Sequence, residues 1–170
     1  MALFLCFTFA WVAPVLAQQP GSPAAAQTAA APDDLAQKAG AAREAGRLQE
    51  AIGLYRQSVK NHPDWLEGWW YLGTLLYDRD LYAEGKDAFR QVVALDPKNG
   101  TALAMLSLCE FGVKEYEQSL ADMEEARHLG MASSIEFMSV ARYHDGILLT
   151  RFGRFREANQ ALQYLAKYQN

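Results

Sequence analysis

"GRLQEAIGLYRQSVKNHP" (residues 46–63) and "DLYAEGKDAFRQVVALDP" (residues 80–97) are two versions of one pattern. Pro63 and Pro97 stand 34 positions apart, as do Tyr55 and Phe89, Ala51 and Gly85, and Leu48 and Tyr82. Another step of 34 reaches Tyr116, Ser119, Met123 and Ala126 in "KEYEQSLADMEEARHLG" (114–130). A step of 39 then reaches Phe155, Ala158, Leu162 and Leu165 in "GRFREANQALQYLAKY" (153–168), the five extra residues falling in "MASSIEFMSV".

Apolar residues recur at helical spacing within each copy, and no window alternates with the period of a strand. Gly46, Pro63, Pro97, Gly112, Gly130 and Gly153 punctuate the pattern. Helices are expected near 33–45, 48–61, 65–79, 82–95, 99–112, 115–129, 133–152 and 154–168, which makes the fold class all-α. They pair, and the pairs repeat. Small residues at Ala51, Gly85, Ser119 and Ala158 let paired helices approach closely. Tyr55, Phe89, Met123 and Leu162 fill the space one turn later. A single pair cannot bury its own apolar face, so the pairs must stack.

A helix–turn–helix period of 34 residues resembles the tetratricopeptide repeat. The second copy is most similar to that family, through Trp69, Leu72, Gly73, Gly85, Phe89 and Pro97, with Gly85 and Val92 standing where Ala is usual. The first copy matches through Ala39, Ala51, Tyr55 and Pro63 but lacks the Trp. The third keeps Leu106, Tyr116 and Ala126 without a terminal Pro, and the fourth keeps Gly146, Gly153, Phe155 and Ala158. The resemblance covers residues 33–168, divided near 33–65, 66–99, 100–132 and 133–168. It implies about four stacked repeats in a right-handed α-solenoid with a concave groove, and it implies a place in the repeat core for the residues just named. It says little about function, because the family is a scaffold used for many tasks.

"GWWYLGTLLY" (68–77) raises the question of a binding face. Adjacent helical residues point about 100° apart, so Trp69 and Trp70 cannot share one face. Leu72, Gly73 and Leu76 fall around Trp69, which places Trp69 in the core. Trp70, Tyr77, Thr74 and Tyr71 then form a second stripe. The family resemblance implies that this flank of the first helices lines the groove where partner peptides lie. The stripe continues through Met105, Leu108 and Phe111 in the third repeat and Tyr143 and His144 in the fourth. The alternative is that Trp70 and Tyr77 widen the core against neighbouring first helices. Trp, Tyr and Met are enriched at binding surfaces.

The segment "MALFLCFTFAWVAPVLA" (1–17) has no charge and ends in a small-residue pattern at Val15-Leu16-Ala17, which reads as a signal peptide cleaved after Ala17. It lacks the usual preceding basic residue, and an uncleaved anchor is the alternative. Cleavage would make the protein periplasmic or secreted; an uncleaved segment would be its one link to a membrane. Residues 18–32 are rich in Ala, Pro and Gln and read as a flexible tether. Pro32, Asp33 and Asp34 open the first helix.

The net charge of −4 argues against a nucleic-acid partner. From Ala126 on the chain is basic, with 6 Lys/Arg against 3 Asp/Glu, and Arg151, Arg154 and Arg156 are read as a solvated face or as a site for an acidic partner. The acid run Asp122, Glu124 and Glu125 reads as a solvated face, and Cys109 as core. His62, His128 and His144 have no metal-ligand spacing, and His144 and Asp145 point apart. No cofactor motif or catalytic constellation is recognised. The expected function is non-enzymatic: an exported scaffold that binds a protein or peptide partner. The alternative is an N-terminal repeat module of a longer protein. Leu148, Leu149 and Phe152, on the last first helix, are expected to lack cover.

Overall fold

Four turns of one design organise the chain. They join eight helices: α1 (Asp34–Glu44), α2 (Leu48–Asn61), α3 (Leu66–Tyr77), α4 (Tyr82–Leu95), α5 (Gly100–Gly112), α6 (Tyr116–Leu129), α7 (Ile135–Arg151) and α8 (Phe155–Tyr168). The structure is a computed structural model that describes residues 32–132 and 134–168. Among those residues there is no strand, and every helix lies within two residues of its expected place. No helix among them is long and apolar enough to cross a membrane. The proposed signal segment and all but the last residue of the tether lie outside the described residues.

At each turn inside a hairpin one residue takes a left-handed backbone: Gly46, Asp80, Lys114 and Gly153, with φ of 72°, 58°, 67° and 72°. The next amide then bonds back to the last turn of the helix. Arg47 N–H reaches Ala42 O at 2.9 Å, Leu81 reaches Leu76 at 2.9 Å, Glu115 reaches Glu110 at 2.9 Å, and Arg154 reaches Leu149 at 2.8 Å. This closes otherwise orphaned carbonyls and fixes the exit angle of the chain. Glycine takes that backbone without steric cost; Asp80 and Lys114 do not.

The helices of each hairpin cross at a pair of small residues: Ala39 and Ala51, Gly73 and Gly85, Ser107 and Ser119, Gly146 and Ala158. A Cβ added at Gly73 would stand 2.9 Å from the Phe89 ring, and one at Gly146 would stand 2.5 Å from Leu162. In the third pair the serine hydroxyls each donate to the other residue's carbonyl, at 2.7 and 2.8 Å. That satisfies both hydroxyls inside a core where an unpaired one costs free energy. Tyr55, Phe89 and Met123 fill the adjoining space and are fully buried, whereas Leu162 in the last pair is 37% exposed.

Side-chain caps start three helices. Asp33 accepts from Ala36 N–H at 2.7 Å, Asn99 from Ala102 N–H at 3.0 Å, and Ser134 from Phe137 N–H at 3.3 Å. Asp33 also receives Ser58 Oγ and pairs with His62, so the cap ties α1 to the end of α2.

Helix α5 is the most enclosed element. Gly100 through Glu110 are all buried, with α4, α6 and α7 packed around them. The longer segment before α7 contributes to this. Ala132 N–H bonds Thr101 Oγ1 at 2.8 Å, and Gly100 lies so close to the chain after α6 that a Cβ there would meet Gly130 O at 2.1 Å. Cys109 is fully buried.

Of the expected core residues, Trp69 and Tyr116 are half-buried at the edge of the core, and Pro97 and Phe155 are exposed. Trp69 is half-buried at the start of α3, where its indole N–H bonds Pro63 O at 2.9 Å. Pro97 is exposed, since its role is to end α4 rather than to pack. Tyr116 is half-buried, and Phe155 is 68% exposed. Tyr116 and Phe155 are first residues of second helices, whose rings lean on the following repeat; no described helix follows α8 to cover Phe155. Leu148 and Leu149, expected to lack cover, are fully buried, and only Phe152 remains 38% exposed.

Candidate functional site

The period that sets the core also sets a row of rings at the hairpin turns. Tyr77 ends α3 and Phe111 lies in the last turn of α5, 34 residues on. Tyr82 opens α4 and Tyr116 opens α6, again 34 apart. Each turn therefore brings two aromatic rings together edge to face. Tyr77 and Tyr82 have centroids 5.5 Å apart at 65°, and Phe111 and Tyr116 are 5.4 Å apart at 71°. This is the preferred aromatic geometry. From α7, His144 stands edge-on to Phe111 at 4.9 Å, with Tyr143 beside it at 5.6 Å.

Tyr77, Tyr82, Phe111, Tyr116 and His144 line an open cavity of about 300 Å³, with Leu108 and Lys114 also on its walls. Gly112 makes it possible, because a Cβ there would lie 2.4 Å from Tyr82 Cγ. One repeat on, Arg151 takes the place of Gly112 and stacks its guanidinium 4.2 Å over the Tyr116 ring.

The walls are apolar surfaces with polar edges. The Tyr82 hydroxyl donates to Asp80 Oδ1 at 2.5 Å, and the resulting bond to a carboxylate pushes its phenol up to about 12. Burial raises the Tyr77 phenol as well. His144 Nδ1 lies 2.9 Å from Val140 O. A carbonyl has no proton to give, so Nδ1 carries the hydrogen and neutral His144 keeps Nε2 as an acceptor. Arg127 holds α7 in place through a 2.5 Å bond to Asp145, which is 1% exposed. Arg154 joins the same network through Glu124 and Glu157.

A second hollow of about 360 Å³ lies between α1 and α3. Gln37, Arg43, Glu44 and Glu67 edge it over Tyr55, Trp65 and Tyr71. Arg43 stacks 4.2 Å over Tyr71, and the Trp65 indole N–H is buried without a hydrogen-bond partner.

Of the expected groove residues, the structure brings Tyr77, Leu108, Phe111 and His144 to one cavity, with Tyr143 53% exposed beside it. Tyr71 borders the hollow at α1. Thr74 is half-buried, its hydroxyl turned back to Trp70 O and Tyr71 O. Trp70 and Met105 do not belong to a groove. Trp70 is 3% exposed, edge-on to Phe89 at 5.6 Å and 80°. Met105 is 8% exposed in the same core cluster, as α5 residues pack between Trp70 and Phe137 and Ala141 of α7. Leu108, only 3% exposed, forms floor rather than contact surface. The physical reason is that α4 and α5 close over Trp70, and α7 closes over Met105, before either side chain meets solvent. Tyr82 and Gly112 were not anticipated as site residues, and Tyr116 was expected in the repeat core rather than at the cavity, although the spacing of the two tyrosines carries the signal.

The sequence profile of the tetratricopeptide repeat family matches residues 37–100 and 71–134, more than half of the chain. Among curated proteins, the general transcriptional corepressor trfA of Dictyostelium discoideum is 21% identical over 132 residues. That match takes in 77% of this chain but 9% of the relative's length. Among solved structures, MamA 41-end from Desulfovibrio magneticus RS-1 superposes with a TM-score of 0.65 at 20% identity, over 79% of this chain and 73% of that one. YrrB, described as a TPR protein with an unusual peptide-binding site, gives 0.63 at 19% identity, over 77% and 65%. The first TPR of Spaghetti (RPAP3), solved with the HSP90 peptide SRMEEVD, gives 0.53 at 18% identity, over 76% and 90%. At these identities the solved structures share the fold.

Proposed function

The chain belongs to the tetratricopeptide repeat family, and from that premise we propose that it is a protein–protein interaction scaffold whose aromatic cavity holds a side chain of a partner segment. The observation that carries this is the repeated ring pair at the turns of α3–α4 and α5–α6, closed by His144 of α7. Its walls offer ring faces and edges, with Lys114, the tyrosine hydroxyls and His144 as polar groups at the edge, and the partner side chain the rings suit is apolar or aromatic. Two similar folds, YrrB and the RPAP3 repeat, are described with a peptide-binding site or a peptide, which supports a peptide-sized occupant. No catalytic role is assigned.

The test is selection of peptides from a random display library on residues 32–170, followed by amide-shift mapping. Shifts centred on Tyr77, Phe111 and His144, from peptides sharing an apolar anchor, support the reading. Shifts confined to the α1–α3 hollow overturn this choice of site.

The proposal also places the protein outside the cytoplasm, supported by the uncharged start and Val15-Leu16-Ala17. Protein from its native host should begin at Gln18. An intact Met1 on cytosolic material contradicts it.

A further inference from the structure

On the side of α5 away from the aromatic cavity, a cleft of about 510 Å³ opens between α4 and α6. Its walls carry Glu110 from α5, Glu115 from the turn, Glu117 and Asp122 from α6, and Arg90 from α4. Leu106 supplies an apolar patch. Four carboxyl groups thus face one lining cation.

The decisive feature is Glu110. It is 1% exposed, its carboxyl shares a hydrogen bond with Asp122, and its Oε2 has no partner of its own. A buried carboxylate oxygen normally has one, because leaving it bare costs free energy. The nearby cations do not satisfy it. Arg90 Nη2 stands 3.6 Å from Glu110 Oε1, beyond hydrogen-bond range, and 3.8 Å from Glu115 Oε2, while its Nη1 lies 3.6 Å from Asp87 Oδ1. Lys86 is committed to Glu115 at 2.5 Å, and Gln118 donates to Asp122 at 2.9 Å.

We propose that this cleft binds a guanidinium group, presented as an arginine side chain by a protein partner. A planar cation can bond carboxylates on two sides while its faces lie on Leu106, which a hydrated metal ion or a compact ammonium cannot do. The stem of an arginine also fits a cleft of this volume. The site is independent of the aromatic cavity, and either can fail alone.

In the empty cleft a proton takes the cation's place. Burial, with Asp122 alongside, pushes the Glu110 carboxyl up to about 8, and burial raises Asp122 too. Arginine must displace that proton, so its affinity rises with pH, by about tenfold per unit below pH 8.

The probe is N-acetyl-arginine methylamide, titrated into the full described domain between pH 6 and 9 while side-chain carboxyl and Leu106 methyl shifts are recorded. The expected result is a saturable shift at Glu110, Asp122 and Leu106 that strengthens with pH, with the uncharged norleucine analogue silent. Glu110→Gln keeps the shape, removes the charge, and should weaken binding at least tenfold at pH 9. If that variant unfolds, the half-buried Asp122→Asn should show the same loss. No saturable shift at pH 9, equal binding by Glu110→Gln, or tighter binding by calcium than by the arginine probe each overturns the proposal.

Discussion

Trp70 stands edge-on to Phe89 of its own repeat with ring centroids 5.6 Å apart, in a core cluster that runs on into the third repeat through Leu103, Met105 and Leu106. Trp69, its sequence neighbour, lies half-buried over the α2–α3 turn. The two tryptophans therefore differ in what they hold together. Trp70→Ala should cost about 3–5 kcal/mol, as large aromatic truncations in packed cores do. Trp69→Ala loses one hydrogen bond and part of its burial, and should cost about 1–2 kcal/mol. Urea midpoints of the two variants check the order; equal losses contradict it.

Lys114 holds a left-handed backbone at φ 67° where the first and fourth repeats use glycine. Lys114→Gly removes a steric cost of about 1–2 kcal/mol and adds back part of it as unfolded-chain entropy. A net gain of about 0.5–1 kcal/mol is expected from thermal unfolding. Gly153→Ala should lose a similar amount.

Gly112 leaves room for Tyr82. An added Cβ would meet the base of that side chain, Cβ at 3.0 Å and Cγ at 2.4 Å, which cannot swing away as a chain tip can. Gly112→Ala should therefore cost about 1–3 kcal/mol and displace Tyr82 from Tyr77. Loss of the Tyr82–Asp80 bond would show as a drop in the phenol titration from about 12; an unchanged titration and midpoint would contradict it.

Acid and base act on different groups. Glu110 is raised from 4.5 to about 8 in the folded chain. The folded state then binds more protons than the unfolded state between those values, so stability falls as pH rises through that window. Asp122 and Asp145, raised mainly by burial, act in the same direction. Asp33, Glu115 and Glu157 are lowered by hydrogen bonds from Ala36 N–H, Lys86 and Arg154, and their contribution disappears on acidification below about pH 4. Chemical unfolding across pH 5–8 should show the decline, and Glu110→Gln should flatten it. An identical slope in the variant contradicts the assignment.

Helices and hairpin pairing were legible in the sequence because both follow from local spacing: the small-residue pairs, the turn residues and the 34-residue step. What spacing could not show is how closely one hairpin leans on the next. A helical wheel separates Trp69 from Trp70 but does not say which flank the neighbouring elements cover, so Trp70 was read as groove although it is core, while Trp69 packs at the core's edge. The acid run shows the same limit. Asp122 and Glu124 sit on what reads as a solvated face, yet Asp122 turns toward Glu110 and Glu124 is bonded by Arg154. Glu110 comes from α5 and Arg154 from the α7–α8 turn, and no periodicity within α6 reports them. Tyr77 and Phe111 were legible as one stripe because they stand 34 residues apart, and His144 because it falls on the same flank of the fourth repeat's first helix.

The central claim, that the cavity ringed by Tyr77, Phe111 and His144 receives a partner side chain, rests most directly on one affinity comparison. A library-selected peptide should be titrated against the wild type and Tyr77→Ala by calorimetry, with Arg156→Ala on exposed α8 as control. The account predicts a loss of about 2 kcal/mol, near 30-fold in Kd, for Tyr77→Ala and none for the control. Unchanged affinity for a folded Tyr77→Ala would contradict it.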